Sequence, residues 1–334
     1  MFRKTKNLSN KNNFNKKLIV MIPAYNESKT IEKVIKDIPK KIEGVSEVKI
    51  LVIDDGSKDN TFDIAKSAGA DFVIKNKKNL GLGLTFKRGM LKALELGADI
   101  IVNIDADGQF NPQDIPRLIN PIQKEEADMV TCSRFLNPNL TKDMPWIKKW
   151  GNRKFTKLVN RISKSRFTDT QCGFRAYSRE AALNLNLHGK FTYTQEVFLD
   201  LVKKGMTIKE IPLEVKYFKN RNSYISGRLL RYGLKSIGII SRVTRDSQPL
   251  LFFGLPGVII LFLGFIGLGF STIYWLIHHI TTPVRTLISV SIFLISFGLM
   301  LSIFALISDM LKTIISNQEE ILYRLKKIKF ERRI

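Results

Sequence analysis

The chain has 334 residues, which exceeds a single typical domain, and 54 Lys and Arg against 30 Asp and Glu give it a formal net charge of +24 at pH 7. So large a positive charge indicates a polyanionic partner or surface: nucleic acid, anionic lipid or a phosphorylated substrate. With Cys132 and Cys172 as the only cysteines, the sequence excludes a disulfide framework and a multi-cysteine zinc site.

The N-terminal residues 1–16 are basic, rich in asparagine and without an apolar stretch, so we predict a disordered tail there and no signal peptide. From residue 17 to residue 225, short apolar runs alternate with segments of helical spacing. Strands are predicted at 17–22, 48–53, 71–74, 101–104, 129–132 and 208–215, and helices at 29–38, 61–68, 79–97 and from 194 onward. This alternation predicts an α/β domain with a doubly wound sheet.

Two carboxylates, Asp105 and Asp107, follow the predicted strand at 101–104 and are separated by a single residue. Ligands of open α/β sheets bind beyond the carboxyl ends of strands, and Mg²⁺ normally takes only one or two protein carboxylates. Taken alone, Asp-Ala-Asp-Gly is also typical of a simple turn. Polar turns follow the strands at 17–22 and 48–53 as well, and three such turns at one sheet edge favour a metal site that also binds a diphosphate.

Two uncharged segments, 250–277 and 286–308, each exceed the roughly 20 residues that cross about 30 Å of hydrocarbon as a helix. Basic residues precede the first segment and follow the second, and the loop between them carries only Arg285. The positive-inside rule therefore puts both termini and the large N-terminal domain in the cytoplasm. We predict an interfacial amphipathic helix over 226–248, a two-helix transmembrane hairpin over 249–309 and a cytoplasmic basic helix over 310–334.

Six segments, in order, resemble motifs of the inverting family 2 glycosyltransferases and, more narrowly, of the polyprenyl-phosphate (dolichyl-phosphate) mannosyl- and glucosyltransferases. They are 22–27 (IPAYNE), 52–57 (VIDDGS), 79–83 (NLGLG), 105–109 (DADGQ), 133–135 (SRF) and 173–175 (GFR). The resemblance covers residues 17 to 245 and the two-span tail. It implies a nucleotide-diphospho-sugar transferase (GT-A) fold with a mixed sheet over residues 17–225.

The resemblance also implies site residues. It places the nucleotide sugar at Pro23, Tyr25, Glu27, Asp54, Asp55, Gly81 and Asp105. It places Mg²⁺ or Mn²⁺ at Asp105, Asp107 and Gln109, and the acceptor phosphate at Arg134, Lys148, Lys149 and Arg221. Members of the family usually carry an arginine pair where this chain has the two lysines, and lysine offers a point charge instead of a bidentate fork.

The expected catalytic residues are Asp105, Asp107, Arg134 and Asp169. Three roles stay open for Asp169: a partner that orients the acceptor arginines, a vestigial base, or a carboxylate that caps a helix. His188 is expected to be a surface or packing residue.

The reaction implied is transfer of a hexose, with inversion, from a nucleotide-diphospho-sugar to dolichyl or polyprenyl phosphate. Family frequency favours GDP-mannose as the donor, with UDP-glucose next. A phosphate monoester is largely dianionic near neutral pH, so it attacks with little or no help from a general base.

Three alternatives are a processive polysaccharide synthase, a transferase to a lipid or protein hydroxyl and, in another class, a non-catalytic basic membrane scaffold. The basic residues concentrate at membrane flanks and the tail, so the bilayer is an expected partner and nucleic acid is not. A homo-oligomer stays open.

Overall fold

The structure, a computed structural model, describes residues 16–142, 144–187, 193–216, 245 and 248–331. It contains two compact units: one comprises the described residues up to 216 together with 323–331, and the other those from 245 to 322. Of the predicted N-terminal tail, only Lys16 is described, and it begins the first strand. His188, Arg221 and nearly all of the predicted interfacial helix lie outside the described residues.

The first unit is built on a mixed seven-stranded sheet. Its strands are β1 (Lys16–Ala24), β2 (Val45–Asp54), β3 (Phe72–Lys75), β4 (Ile100–Asn103), β5 (Met129–Ser133), β6 (Arg175–Ser178) and β7 (Ile208–Pro212). Their order across the sheet is β3-β2-β1-β4-β6-β5-β7, and of these strands only β6 runs antiparallel to its neighbours. Because β2, β1 and β4 are adjacent and parallel, the turns that follow them come out at one edge of the sheet.

Both faces of the sheet are covered by helices. Along β1, Leu18, Val20 and Ile22 belong to one apolar core and Ile19 and Met21 to the other, and all five are fully buried. Helices α1 (Ile31–Lys36), α2 (Thr61–Ser67) and α4 (Ile115–Gln123) contribute to the first core; α3 (Leu82–Glu95), α5 (Trp146–Ser163), α6 (Arg179–Asn184) and α7 (Thr194–Lys203) contribute to the second. The predicted doubly wound α/β fold with a mixed sheet is confirmed.

Strand β6 is absent from the predicted strands. It reads Arg-Ala-Tyr-Ser and carries Arg175, which is fully buried, and hydrophobic periodicity does not identify a strand that places a charge in the core. In the sheet β6 pairs with β4, with Asn103 opposite Arg175. This insertion brings Gly173 beside the turn that follows β4.

The second unit contains two long apolar helices, α8 (Leu255–His278) and most of α9 (Arg285–Glu331). By length and composition both are able to cross a membrane, as predicted. Glycines let the two helices approach closely: a Cβ at Gly264 would lie 2.7 Å from Ile295 Cγ1, and one at Gly298 would lie 2.6 Å from the backbone N of Leu261.

Helix α9 runs unbroken past residue 310, where a separate C-terminal helix is predicted to begin. Its last turns belong to the first unit, where Phe330 is 2% exposed in the core formed with α3, α6 and α7. Lys326 Nζ donates hydrogen bonds to the carbonyl oxygens of Leu183 (3.2 Å) and Leu185 (2.7 Å) and to Asn186 Oδ1 (2.8 Å). Burial lowers the pKa of Lys326 to about 8, and the charge of a neighbouring lysine adds to the shift.

Candidate active site

The carboxylates of Asp105 and Asp107 lie in the turn directly after β4. Asp107 Oδ1 accepts a hydrogen bond from the backbone N of Gln109 at 3.0 Å, which closes the turn. Asp105 remains partly accessible, and a Cβ at Gly173 would lie 2.6 Å from its Oδ2. The absence of a side chain at Gly173 therefore provides the space that the Asp105 carboxylate occupies.

Charges from several loops act on Asp105. Burial and the charges of Asp107 and Glu27 raise the pKa of Asp105 to about 7, although the charges of Arg175 and Arg134 act to lower it. The turn after β1, the turn after β4 and the arginine after β5 thus carry charges that act on the same carboxylate.

The side chains of this turn fit a Mg²⁺ or Mn²⁺ site to which the protein supplies only some of the ligands. Among the described residues, no three His, Cys, Asp or Glu side chains form a metal-binding group by themselves. Two carboxylates and the amide of Gln109 fit a hard divalent ion whose other ligands come from a diphosphate and water.

The two adjacent aspartates at the end of β2 have different partners. Asp55 Oδ1 accepts from Asn76 Nδ2 (2.8 Å) and from the backbone N of Leu80 (2.9 Å), and its Oδ2 accepts from the N of Gly81 (2.9 Å). Asp55 therefore fixes the loop that leads into α3. Asp54 Oδ1 accepts from the N of Ser57, while its buried Oδ2 has no hydrogen-bond donor among the described residues.

A basic cavity of about 520 Å³ adjoins Asp54; it is lined by Lys75, Lys77, Lys78, Leu80 and Arg88. Lys75 Nζ lies 3.8 Å from Asp54 Oδ2. Lysine and arginine offer only donors, so this side of the site fits the oxygen atoms of a phosphate or a nucleobase.

The loop after β1 is tied to the loop after β2. The backbone N of Asn26 donates to Ser57 Oγ at 3.0 Å, and the N of Glu27 donates to Thr61 Oγ1 at 2.8 Å. Pro23 is buried, and Tyr25 and Glu27 are partly exposed. The structure thus brings the predicted nucleotide-binding residues of both loops to the same edge of the sheet.

Arg134, directly after β5, forms a two-pronged ion pair with Asp169. Its Nε donates to Asp169 Oδ2 at 2.6 Å and its Nη2 donates to Oδ1 at 3.0 Å. Asn152 Nδ2 donates to the same Oδ1 at 2.8 Å, and the N of Gln171 at 3.1 Å. This carboxylate is fully buried and holds one edge of the guanidinium in place.

The pKa of Asp169 reflects these partners. Burial alone raises it, but the charge and hydrogen bonds of Arg134, helped by Asn152 and Gln171, outweigh burial and hold the pKa below its ordinary value. Glu210 on β7 accepts from the backbone N of Thr168 and of Asp169, both at 2.8 Å. Asp169 is therefore placed to orient Arg134 and poorly suited to take a proton.

Helix α5 supplies further basic groups near this pair. Lys148 is exposed and Lys149 partly exposed at the start of the helix, and Asn152 reaches Asp169 from the next turn. Arg153 lies over the ring of Phe135, with 6.0 Å between its Cζ and the ring centroid. The sequence motifs do not single out Asn152, Arg153 or Glu210, because their partners are distant in the chain.

A buried polar layer lies behind the Asp105 turn. Asn103 Nδ2 donates to the carbonyl O of Gly173 (2.8 Å) and to the Tyr193 hydroxyl (2.9 Å). Arg175 donates to the carbonyl oxygens of Cys172 and Thr170 and lies against the Tyr193 ring. These bonds fix the backbone beside Asp105, and Asn103 within an apolar strand is the one signal in the sequence that could have indicated them.

Known proteins match this chain in sequence. The family described as "Glycosyl transferase family 2" matches residues 19–185. The chain is 36% identical, over 221 residues, to a UDP-N-acetylglucosamine–dolichyl-phosphate N-acetylglucosaminyltransferase of Methanococcus voltae, covering 60% of this chain and 86% of that protein. It is 28% identical, over 259 residues, to a dolichol-phosphate mannosyltransferase of Pyrococcus furiosus, covering 73% and 70%.

Solved structures match the fold. Glucosyl-3-phosphoglycerate synthase from Mycobacterium tuberculosis, in complex with phosphoglyceric acid, superposes with a TM-score of 0.53 at 24% identity, covering 70% of this chain and 80% of that one. The same enzyme in complex with Mn²⁺, uridine diphosphate and its product superposes with a TM-score of 0.52 at 23% identity. These likenesses support the GT-A type of sheet found here.

Proposed function

Since the chain belongs to glycosyl transferase family 2, we propose that it is a membrane-anchored polyprenyl-phosphate glycosyltransferase that takes its sugar from a nucleotide-diphospho-sugar. The observation that carries the proposal is that Arg134, oriented by Asp169, lowers the pKa of Asp105 through its charge. An acidic turn suited to a metal–diphosphate and an oriented arginine suited to a phosphate are thus parts of one site. Relatives named for dolichyl and dolichol phosphate support the lipid acceptor.

For the donor we propose UDP-N-acetylglucosamine ahead of GDP-mannose and UDP-glucose. The support is the 36% identity to a relative that uses UDP-N-acetylglucosamine, against 26% to 28% for relatives named as mannosyltransferases. This order differs from the one that family frequency favours, in which GDP-mannose is first.

In the proposed mechanism the donor half of the site binds the nucleotide sugar before the transfer begins. Tyr25, Glu27 and Asp54 hold the nucleoside, while Asp55 keeps the loop at Gly81 folded around it. Asp105, Asp107 and Gln109 would hold Mg²⁺ or Mn²⁺. When bound, that ion stabilises the negative charge that develops on the leaving diphosphate.

The acceptor half aligns a second anion. Arg134, oriented by Asp169, binds the lipid phosphate, and Lys148, Lys149 and Arg221 add positive charge around it. The phosphate oxygen attacks the anomeric carbon in line with the departing diphosphate, which inverts the configuration. No general base is required, because the phosphate is already ionised near neutral pH.

The test uses the full chain in membranes with Mn²⁺ or Mg²⁺, polyprenyl phosphate and labelled UDP-N-acetylglucosamine, GDP-mannose or UDP-glucose. We expect a β-linked lipid-phosphate sugar from an α-linked donor, with the highest rate for UDP-N-acetylglucosamine. Transfer from none of the three donors would refute the proposed function, and an α-linked product would refute inversion. Unphosphorylated polyprenol should accept no sugar, and equal transfer to it would favour the hydroxyl-transferase alternative.

A variant of Asp169 distinguishes the loss of acceptor binding at Arg134 from a general loss of folding. Asp169→Asn keeps the side-chain shape but removes the charge, so we expect the KM for polyprenyl phosphate to rise about tenfold or more while the KM for the donor stays within twofold. Asp114→Asn, whose partner is Arg117 on the surface, is the matched control and should change neither value. A rise in donor KM alone would contradict the assignment of this pair to the acceptor.

A further inference from the structure

The last part of α9 extends well beyond any membrane that its first part crosses. The helix has 47 residues from Arg285 to Glu331, which corresponds to about 70 Å at 1.5 Å per residue. The hydrocarbon core of a bilayer is about 30 Å thick, and Asp309 is the first charged residue after the uncharged stretch. The turns that follow it therefore stand in water.

These water-facing turns carry an apolar stripe. Its members are spaced alternately three and four residues apart, and one of them, Gln318, is polar. The apolar members are Leu311, Ile314, Ile321, Leu325 and Ile328. Such alternation of three and four is a heptad pattern with leucine at a, isoleucine at d and one polar a position. We call this stripe the α9 seam.

The α9 seam is exposed, whereas the opposite side of the helix is occupied. Its five apolar side chains are between 50% and 58% exposed. The first unit, which carries the candidate active site, is called the catalytic unit below. The α9 residues that contact the rest of it lie away from the seam: Phe330 enters the core, Lys326 caps the end of α6, and the Tyr323 hydroxyl donates to Glu180 Oε1 at 2.6 Å. Within the first unit the far side of α9 is thus in contact at 323, 326 and 330, and among the described residues the seam side chains stay about half exposed.

The area of the seam approaches that of one side of a standard protein interface. With Ile315 and Leu322 beside it, also about half exposed, the seam presents on the order of 600 Å² of apolar surface, against about 800 Å² per partner in a standard interface. Soluble surfaces rarely leave a contiguous apolar patch beyond a few hundred Å² uncovered. Lipid cannot cover it, since the helix is unbroken and a turn into the membrane plane would need a kink.

We propose that the α9 seam binds the same seam of other copies of this chain in a parallel coiled coil beside the membrane. The helices of this coiled coil are parallel because every copy of the chain is inserted into the membrane in the same orientation. Leucine at a with isoleucine at d favours three or four strands over two, so the assembly contains more than two copies. This inference is independent of the sugar donor and of the proposed reaction.

Cysteine cross-linking in native membranes tests the contact. Ile321→Cys, at a d position, is compared with Ser316→Cys, which is exposed on the far side of the helix. Cys132 and Cys172 are buried and give little background. With a copper–phenanthroline oxidant we expect at least tenfold more disulfide-linked dimer on non-reducing gels for Ile321→Cys, and equal yields would overturn the proposal.

The molar mass of the full chain in mild detergent provides a second readout. We expect three or four chains for the wild type and for the control Ser316→Asp, and one chain for Ile321→Asp, because a charge at d disrupts the seam. A wild-type mass of one or two chains, or an unchanged mass for Ile321→Asp, would overturn the proposal.

Discussion

At the scale of single residues, Gly173 controls the space around Asp105. An alanine there would put its Cβ 2.6 Å from Asp105 Oδ2, so the carboxylate must move. We expect Gly173→Ala to lower Mn²⁺ affinity at least tenfold, measured by electron paramagnetic resonance with a nucleoside diphosphate present. Gly151→Ala, in α5 with no atom within 4 Å of the added Cβ, is the control and should bind normally. Unchanged Mn²⁺ binding by Gly173→Ala would count against the metal assignment.

The pH dependence of metal binding follows from Asp105. Its pKa is raised to about 7 by burial and by Asp107, so the metal-free carboxyl binds a proton below that pH. Because the metal requires the carboxylate, we expect Mn²⁺ affinity to fall by up to about tenfold per pH unit below pH 7 and to level off above pH 8. Titrations at pH 6, 7 and 8 measure this, and a flat profile would contradict it. Asp107→Asn removes the like charge, so any remaining dependence should move to lower pH.

The sequence motifs do not tell which partner each predicted site residue takes. Asp54 and Asp55 are adjacent in one motif, yet Asp55 anchors a loop and Asp54 keeps an oxygen without a donor among the described residues. Which of two neighbours faces a loop depends on the local backbone, which the motif does not describe. The role of Asp169 likewise required Arg134 and Asn152, which are 35 and 17 residues away in the chain.

At the scale of secondary-structure elements, buried strands with regular apolar patterns were predictable and the others were not. All residues of β4 are buried and apolar except Asn103, and its place in the sheet follows from its pattern. β6 contains a buried arginine whose guanidinium donates to backbone carbonyl oxygens and lies over aromatic rings that the fold brings together. No local pattern predicts such a strand. Because β6 was not predicted, the close approach of Gly173 to Asp105 could not be predicted either.

Helix α9 shows how a tail can stabilise a catalytic unit. Lys326 donates three hydrogen bonds to the end of α6, so we expect Lys326→Met to leave buried acceptors unpaired and to cost about 1–3 kcal/mol of stability. Hydrogen exchange should rise in residues 179–187 and 323–331, and thermal unfolding should begin at a lower temperature. Lys327→Met is the control, because it removes the half-exposed ion pair in which Lys327 Nζ lies 3.8 Å from Glu331 Oε1. Equal exchange in the two variants would contradict this role for Lys326.

At the scale of the whole molecule, the chain leaves the catalytic unit before the hairpin and rejoins it afterwards. Residues up to 216 and residues 323–331 belong to the same unit, while α8 and the first part of α9 lie between them. If α8 and α9 both span a membrane, the segments that flank them lie on the same side of it, as their membership of one unit requires. The positive-inside rule predicts that this side is the cytoplasm.

Cysteine labelling tests this topology. Thr281→Cys lies in the short connection between α8 and α9, and Ser316→Cys lies beyond the second span; both positions are exposed. In intact cells we expect a membrane-impermeant maleimide to label Thr281→Cys and not Ser316→Cys, whereas permeabilised cells should show both. Labelling of Ser316→Cys in intact cells would reverse the orientation. It would then place the donor site on the other side of the membrane from the cytosolic nucleotide sugars that the proposed reaction uses. The same result would therefore contradict both the topology and the proposed reaction.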